Sequence, residues 1–200
     1  MTERGFNNPS HDTAYAFRQI MNAMARPGRI SHFEPDVVAP HPLHRGTAAV
    51  ALTLCDFQSP IWISPELDNP GVKHYLRFHA GATLTQSQFN ASFAIMSSIA
   101  PMPHLEQFAQ GSHEYPDRST TLLIQVPSLL ASGACELSGP GLATPRRFSA
   151  EGLRPEFCRQ MSSNNQNFPL GVDVIFISPI AIAAIPRSTA IRFLETVECM

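Results

Sequence analysis

A chain of 200 residues with 44% apolar and 15% charged positions has an ordinary globular composition. At this length folding buries about 70% of the unfolded surface, so neither disorder nor a disulfide or metal staple is expected. The formal net charge of -2, from 14 basic and 16 acidic residues without a run of like charge, argues against a nucleic-acid backbone or an anionic membrane as partner.

In chain order, the apolar positions Phe17, Ile20, Met21 and Met24 recur at helical spacing and predict a first helix over 13–25, with Asp12 as its cap. Pro27 and Gly28 stop it and reverse the chain. After a proline-spaced loop, 47–54 has the composition of a buried helix and 60–63 that of a short strand. Pro70 opens a helix that continues over 72–78 and ends at Gly81. Short strands follow at 82–84 and 93–96, and Pro101 and Pro103 lead into a short helix ending near Gly111. The β-branched run 120–126 is the clearest strand; 135–138 is another, running into the turn Gly139-Pro140-Gly141. A helix starts at Pro155 and extends through Met161. Asn164 to Asn167 read as a polar loop, and two apolar strands, 174–177 and 180–185, close the pattern. Strands and helices alternating along the whole chain imply an α/β fold: a three-layer mixed sheet with helices on both faces, in a single domain spanning 1–200.

The basic residues are almost all arginines, Lys73 being the single lysine, so pyridoxal phosphate chemistry would rest on that one side chain. No phosphate-binding P-loop and no dinucleotide fingerprint occurs. Cys55, Cys135, Cys158 and Cys199 form no CxxC pair, and the first residues lack the pattern of a secretion signal; both point to a reducing cytoplasm. The longest apolar stretch, 172–185, is interrupted by Asp173 and Pro179 and falls short of the ~20 residues of a membrane span.

His41-x-x-His44 and His74-x-x-x-x-His79 lack the further ligands of a zinc site, so no metal site is expected. Arg77 and His79 nevertheless sit together near a helix end, where His79 is either a solvated histidine or an acid-base group. Gly139 and Gly141, with Arg146 and Arg147 close behind, make the best anion-receiving segment, since turn N–H groups and guanidiniums suit phosphate or phosphonate oxygens; a tight turn between strands with solvated arginines is the more ordinary reading. Arg187 closes an apolar strand and serves either a ligand or the sheet end. Glu114 lies in a turn, and Cys55 beside Asp56 is either a core thiol or a nucleophile. These residues show no self-contained catalytic constellation.

Eight segments resemble, in order, the PhnH family of subunits of the bacterial carbon-phosphorus lyase core complex: FRQIMNAMARPG (17–28), LTLCD (52–56), PIWI (60–63), LRFHAGA (76–82), GSHEYP (111–116), LSGPG (137–141), FPLGVD (168–173) and PRST (186–189). Ala80 and Ser188 stand where threonine is expected. The resemblance implies the fold of pyridoxal-phosphate-dependent transferases without their cofactor site. It also implies a homodimer that assembles with PhnG, PhnI and PhnJ subunits in organophosphonate catabolism. There the assembly transfers the ribose triphosphate of ATP to an alkylphosphonate, forming a ribose 1-phosphonate 5-triphosphate, with MgATP as co-substrate of the complex and no cofactor on this chain alone. The chain is then a non-autonomous transferase subunit, or else a purely scaffolding one. A direct anion site built from Arg77, His79, Arg146, Arg147 and Arg187 is the competing expectation.

Overall fold

The computed structural model describes residues 3–99 and 102–194. In chain order the elements are α1 (Pro9–Ala25), β1 (Ser31–His32), α2 (Arg45–Leu54), β2 (Ile61–Ile63), α3 (Pro70–Ala80), β3 (Phe93–Met96), β4 (Thr121–Gln125), β5 (Leu129–Ser138), β6 (Arg146–Ala150), α4 (Pro155–Gln166), β7 (Asp173–Ile177), β8 (Ala181–Ile185) and β9 (Ala190–Phe193). Single 3-10 turns occur at Gln88–Asn90, Leu105–Gln107 and Pro116–Arg118.

The β-branched runs build a six-stranded mixed sheet in the order β1-β8-β7-β4-β3-β2. Strands β2, β3, β4 and β7 are parallel, while β8 is antiparallel to both β7 and β1. Alternation along each strand sends side chains to two cores. Ile63, Ile95, Leu123 and Ile175 face α1, α2 and α3; Met96, Leu122, Ile124 and Phe176 face the other way. Phe176 centres this second core, with Phe148 at 5.5 Å and Phe157 at 5.8 Å between ring centroids. Full burial of such a ring contributes about 1.5–3 kcal/mol.

The expected mixed sheet has helices on both faces, with α1, α2 and α3 on one and α4 on the other. What the expectation lacked is a separate antiparallel sheet, β6-β5-β9, which among the described residues covers the second face together with α4 and the segment around Leu105 and Phe108. The expected strand 135–138 is the end of the longer β5, whereas β6 and β9 are inconspicuous in sequence because each buries only alternate residues, such as Phe148 and Ala150 of β6.

Local differences have local causes. Helix α1 starts at Pro9, four residues before the expected start, because Asn8 rather than Asp12 is its cap. Asn8 Oδ1 accepts from the His11 N–H at 3.4 Å, and the Asn8 N–H donates to Asp12 Oδ2 at 2.8 Å. The buried face of α1 is Ala16, Ile20 and Ala23, whereas Phe17 and Met21 point to solvent. Residues 82–84 form only one bridge, Leu84 to Ile61. The helix expected from Pro101 is reduced, within the described residues, to the turn Leu105–Gln107. Asn164, Asn165 and Gln166 continue α4 instead of forming a loop, because Asn164 turns inward: its amide donates to Val172 O and its carbonyl accepts from the Val172 N–H. No helix among the described residues is long and apolar enough to cross a membrane.

Candidate functional site

The hairpin register sets up the most developed polar cluster. Val174 lies opposite Ile185, so Asp173 at the start of β7 is brought beside Arg187 just beyond β8. The Arg187 backbone N–H donates to Asp173 Oδ1 at 2.8 Å, Nε reaches both carboxylate oxygens at 3.2 Å, and Nη2 donates to Oδ2 at 2.5 Å. Nη1 donates to Pro116 O at 2.7 Å and Nη2 also to Ser119 Oγ, while Asn165 of α4 donates to Arg187 O. With side chains 13% and 15% exposed, this forked, charge-assisted pair ties together the loops around 116, 169 and 187. Above it lies an open cleft lined by Asp117, Phe168, Pro169 and Ser188.

A second brace abuts the first. Arg146 Nη1 donates to Pro27 O at 2.8 Å and Arg26 O at 3.5 Å. The Gly139–Gly141 turn is wedged beside it: a Cβ on Gly141 would lie 2.4 Å from Ala25 O, and one on Gly139 3.1 Å from Ser188 O. A carbonyl oxygen is thus the nearest neighbour at each of these two glycines, and both adopt positive φ.

The other expected residues lie apart. Arg147 is exposed on the outer face of the small sheet, opposite Glu136, whose carboxylate pairs with Arg192 at 2.7 Å. Arg77 is exposed on α3, over the opposite face of the main sheet. His79, also on α3, bonds through Nε2 to Glu3 O at 2.8 Å and packs on the Tyr75 ring at 4.6 Å, pinning the segment before α1. Burial pushes the Tyr75 phenol up to about 12. Glu114 is exposed next to Tyr115, over whose ring Arg118 stacks at 4.1 Å. Arg146 and Arg187 therefore lie in adjoining braces with their guanidiniums on protein acceptors, while Arg77 with His79, and Arg147, lie on other surfaces.

Cys55 is buried, and burial followed by the Asp56 charge pushes its thiol well up, which keeps it protonated. Cys135 and Cys158 are buried together beneath the small sheet, where the hydrogen bond between them and then burial push the Cys158 thiol up; Cys199 lies outside the described residues. Lys73 pairs with Asp68 on the surface of α3. Two clefts escaped sequence reasoning. One, of about 140 Å³, lies between α4 and the 104–110 loop, lined by His104, Glu106, Glu156 and Arg159. The other, of about 450 Å³, is bounded by Glu34, His41, His44, Arg45 and Ile180 at the edge where the parallel strands end.

Residues 4–192 match the family described as "Bacterial phosphonate metabolism protein (PhnH)". The chain belongs to the PhnH family. It is 35% identical over 187 residues, 94% of each chain, to the "Alpha-D-ribose 1-methylphosphonate 5-triphosphate synthase subunit PhnH" of Rhizobium meliloti (strain 1021). It is 28% identical over 190 residues, 88% of this chain and 84% of the relative, to the "Putative C-P lyase subunit protein HtxG" of Stutzerimonas stutzeri. Parts of the PhnH-like segments named above share one edge of the main sheet. Gly28 lies beside the end of β8, Asp56 and Pro60 precede β2, Ala82 adjoins the residues that run along Ile61, and 139–141 meet 25–27 and 188. The segments at 116, 168–173 and 186–189 surround Arg187. These parts border the edge where the parallel strands begin.

Proposed function

We propose that this chain is a non-autonomous subunit of an assembly that transfers the ribose triphosphate of ATP to an alkylphosphonate, giving a ribose 1-phosphonate 5-triphosphate within the carbon-phosphorus lyase pathway. The observation that carries this reading is the 35% identity, over 94% of both chains, to a protein named as a subunit of the synthase of that product. The other relative is likewise named as a C-P lyase subunit, which supports partner subunits. In this reading the chain works in the cytoplasm as a single domain and as a homodimer, with subunits of the PhnG, PhnI and PhnJ types. Its mixed α/β architecture is a variant of the pyridoxal-phosphate-dependent transferase fold without the cofactor site. MgATP is the co-substrate of the complex, and this chain holds no cofactor by itself. The pairing of the single lysine with Asp68 on α3 supports that view.

A purely scaffolding role is the second reading, and one observation favours it. Arg146 and Arg187 direct their guanidiniums to internal acceptors, leaving Arg77 and Arg147 on separate faces. The two readings part in one assay: adenine release from MgATP and methylphosphonate by the purified assembly, with and without this chain. Loss of release on omission supports the transferase-subunit role. Full release by a complex lacking the chain supports scaffolding. Normal growth of a deletion strain on methylphosphonate as sole phosphorus source refutes both.

A further inference from the structure

Helix α1 is amphipathic twice over. Ala16, Ile20 and Ala23 bury one face in the core, but a second apolar pair, Phe17 and Met21, stands one turn apart on the solvent side of the helix, 47% and 52% exposed. Ala14, Arg18, Asn22 and Ala25 share that outward side, and Arg26 folds back along it, donating from Nη1 to Asn22 Oδ1 at 2.6 Å. The one carboxylate of α1, Asp12, is turned to the helix start by the Asn8 N–H and His11. No carboxylate bonds to Arg18, Arg26 or Arg29 among the described residues. The other large exposed apolar side chains, such as Phe57, Phe78, Phe89, Leu130, Phe168 and Ile180, come singly from different parts of the chain.

Aromatic residues, methionine and arginine are the types enriched where proteins meet, and acidic residues are depleted there. An apolar pair framed by unmatched guanidiniums calls for a complementary surface that brings apolar side chains and carboxylates together. We propose that the outward face of α1 is the docking surface for an acidic, apolar-bearing segment of another subunit of the assembly; this rests on the subunit reading above. Phe17 and Met21 enter the partner's apolar positions, while Arg18, Arg26 and Arg29 meet its carboxylates. A lipid surface is disfavoured, because the inner face of the helix is already committed to the core and only two large side chains remain to insert.

The test co-expresses the tagged full-length chain with the other subunits of its assembly and measures how much of them it retains. The wild type retains them, less so as salt rises from about 0.05 to 0.5 M. F17E/M21E lowers retention at least ~10-fold, as expected for central anchors. R18E/R26E lowers it and flattens the salt dependence, and F89E, altered at a 67% exposed phenylalanine elsewhere, behaves as wild type. All three variants should melt with the wild type, since the substituted side chains leave the core untouched. Retention by both α1 variants equal to that of F89E overturns the proposal. So does a change confined to self-association, which makes a second copy the occupant, or an α1-dependent cosedimentation with phosphatidylserine vesicles while subunit retention is intact. A wild-type chain that retains no subunit removes the subunit reading itself, and the proposal with it.

Discussion

Replacing Arg187 by alanine tests whether that guanidinium holds the fold or waits for a ligand. The substitution removes every bond to Asp173 and leaves a carboxylate 15% exposed without a counter-charge, while Pro116 O and Ser119 Oγ lose their donor. Removing one partner of a buried pair costs about 3–5 kcal/mol; the residual exposure of both groups places the expected loss near the lower bound, about 3 kcal/mol. For a chain of this length that lowers Tm by about 6–12 °C. Arg187→Lys keeps the charge but not the planar fork that spans two loops, so it recovers less than half of the loss. In a cycle with Asp173→Ala, the double variant is more stable than the sum of the single losses by about 1–3 kcal/mol, because the stranded carboxylate is gone. Urea unfolding followed by circular dichroism measures all of these. A loss below about 1 kcal/mol for Arg187→Ala, with unchanged m, would refute the bracing role. An unchanged Tm with loss of adenine release by the assembly would assign the side chain to a ligand instead.

Three further outcomes follow from single geometries. Gly141→Ala is expected to cost about 3 kcal/mol or more in urea unfolding, since its φ of +81° already disfavours a side chain by about 1–2 kcal/mol and its Cβ would press on Ala25 O; Gly152→Ala, at φ +86° with open space around it, should cost only about 1 kcal/mol. Bonds from the Asn8 N–H and then from His11 hold the Asp12 carboxyl below its usual range, so its stabilisation is present above the ordinary carboxylate pKa and lost as pH falls through the lowered one. Asp12→Asn should therefore be less stable than wild type at neutral pH and converge with it in acid, as read by thermal unfolding across pH 2 to 7, a range of about five units. Cys55, Cys135 and Cys158 should alkylate at least ~100-fold more slowly in native buffer than in urea, as peptide mapping can follow; fast native labelling of Cys55 would return it to the list of nucleophiles.

Elements whose signal lies in one segment are legible in the sequence, and those that need two segments are not. The runs around β4, β7 and β8 are apolar on both sides because both faces of the main sheet are covered, and such runs are visible alone. Strand β6 is polar on its outward side and needs β5 beside it to become a strand, so Arg146 and Arg147 resembled loop cations. Arg187 stood out as a charge at the end of an apolar strand, and its partner was within reach of simple register. The two apolar runs are joined by a short turn, so the residue opening the first must meet the residue closing the second, which pairs Asp173 with Arg187. What no spacing rule supplies is the convergence of Arg146 on Pro27 O, or of Pro116 on Arg187, across 119 and 71 residues of chain.

The location of that convergence bears on how the chain acts. In open α/β sheets, ligands usually sit outside the carboxyl ends of the parallel strands. Here that end is partly closed: Gln125 at the end of β4 accepts from the His44 N–H at 2.7 Å and donates to Pro42 O at 3.2 Å, fastening the start of α2 over the strand. Several PhnH-like segments lie at the opposite end, where Arg187 of 186–189 bonds Asp173 of 168–173 and Pro116 of 111–116, and Arg146 bonds Pro27 on the loop after α1. Such braces spend the guanidiniums of Arg146 and Arg187 on internal acceptors, which stiffens the edge and leaves those two side chains little capacity to hold an anion. The exposed side of α1 runs into this same edge through Arg26 and Pro27. The braces that turn Arg146 and Arg187 inward thus also fix the end of α1, the helix whose Phe17 and Met21 form the proposed docking face, so weakening either brace should lower subunit retention along with stability.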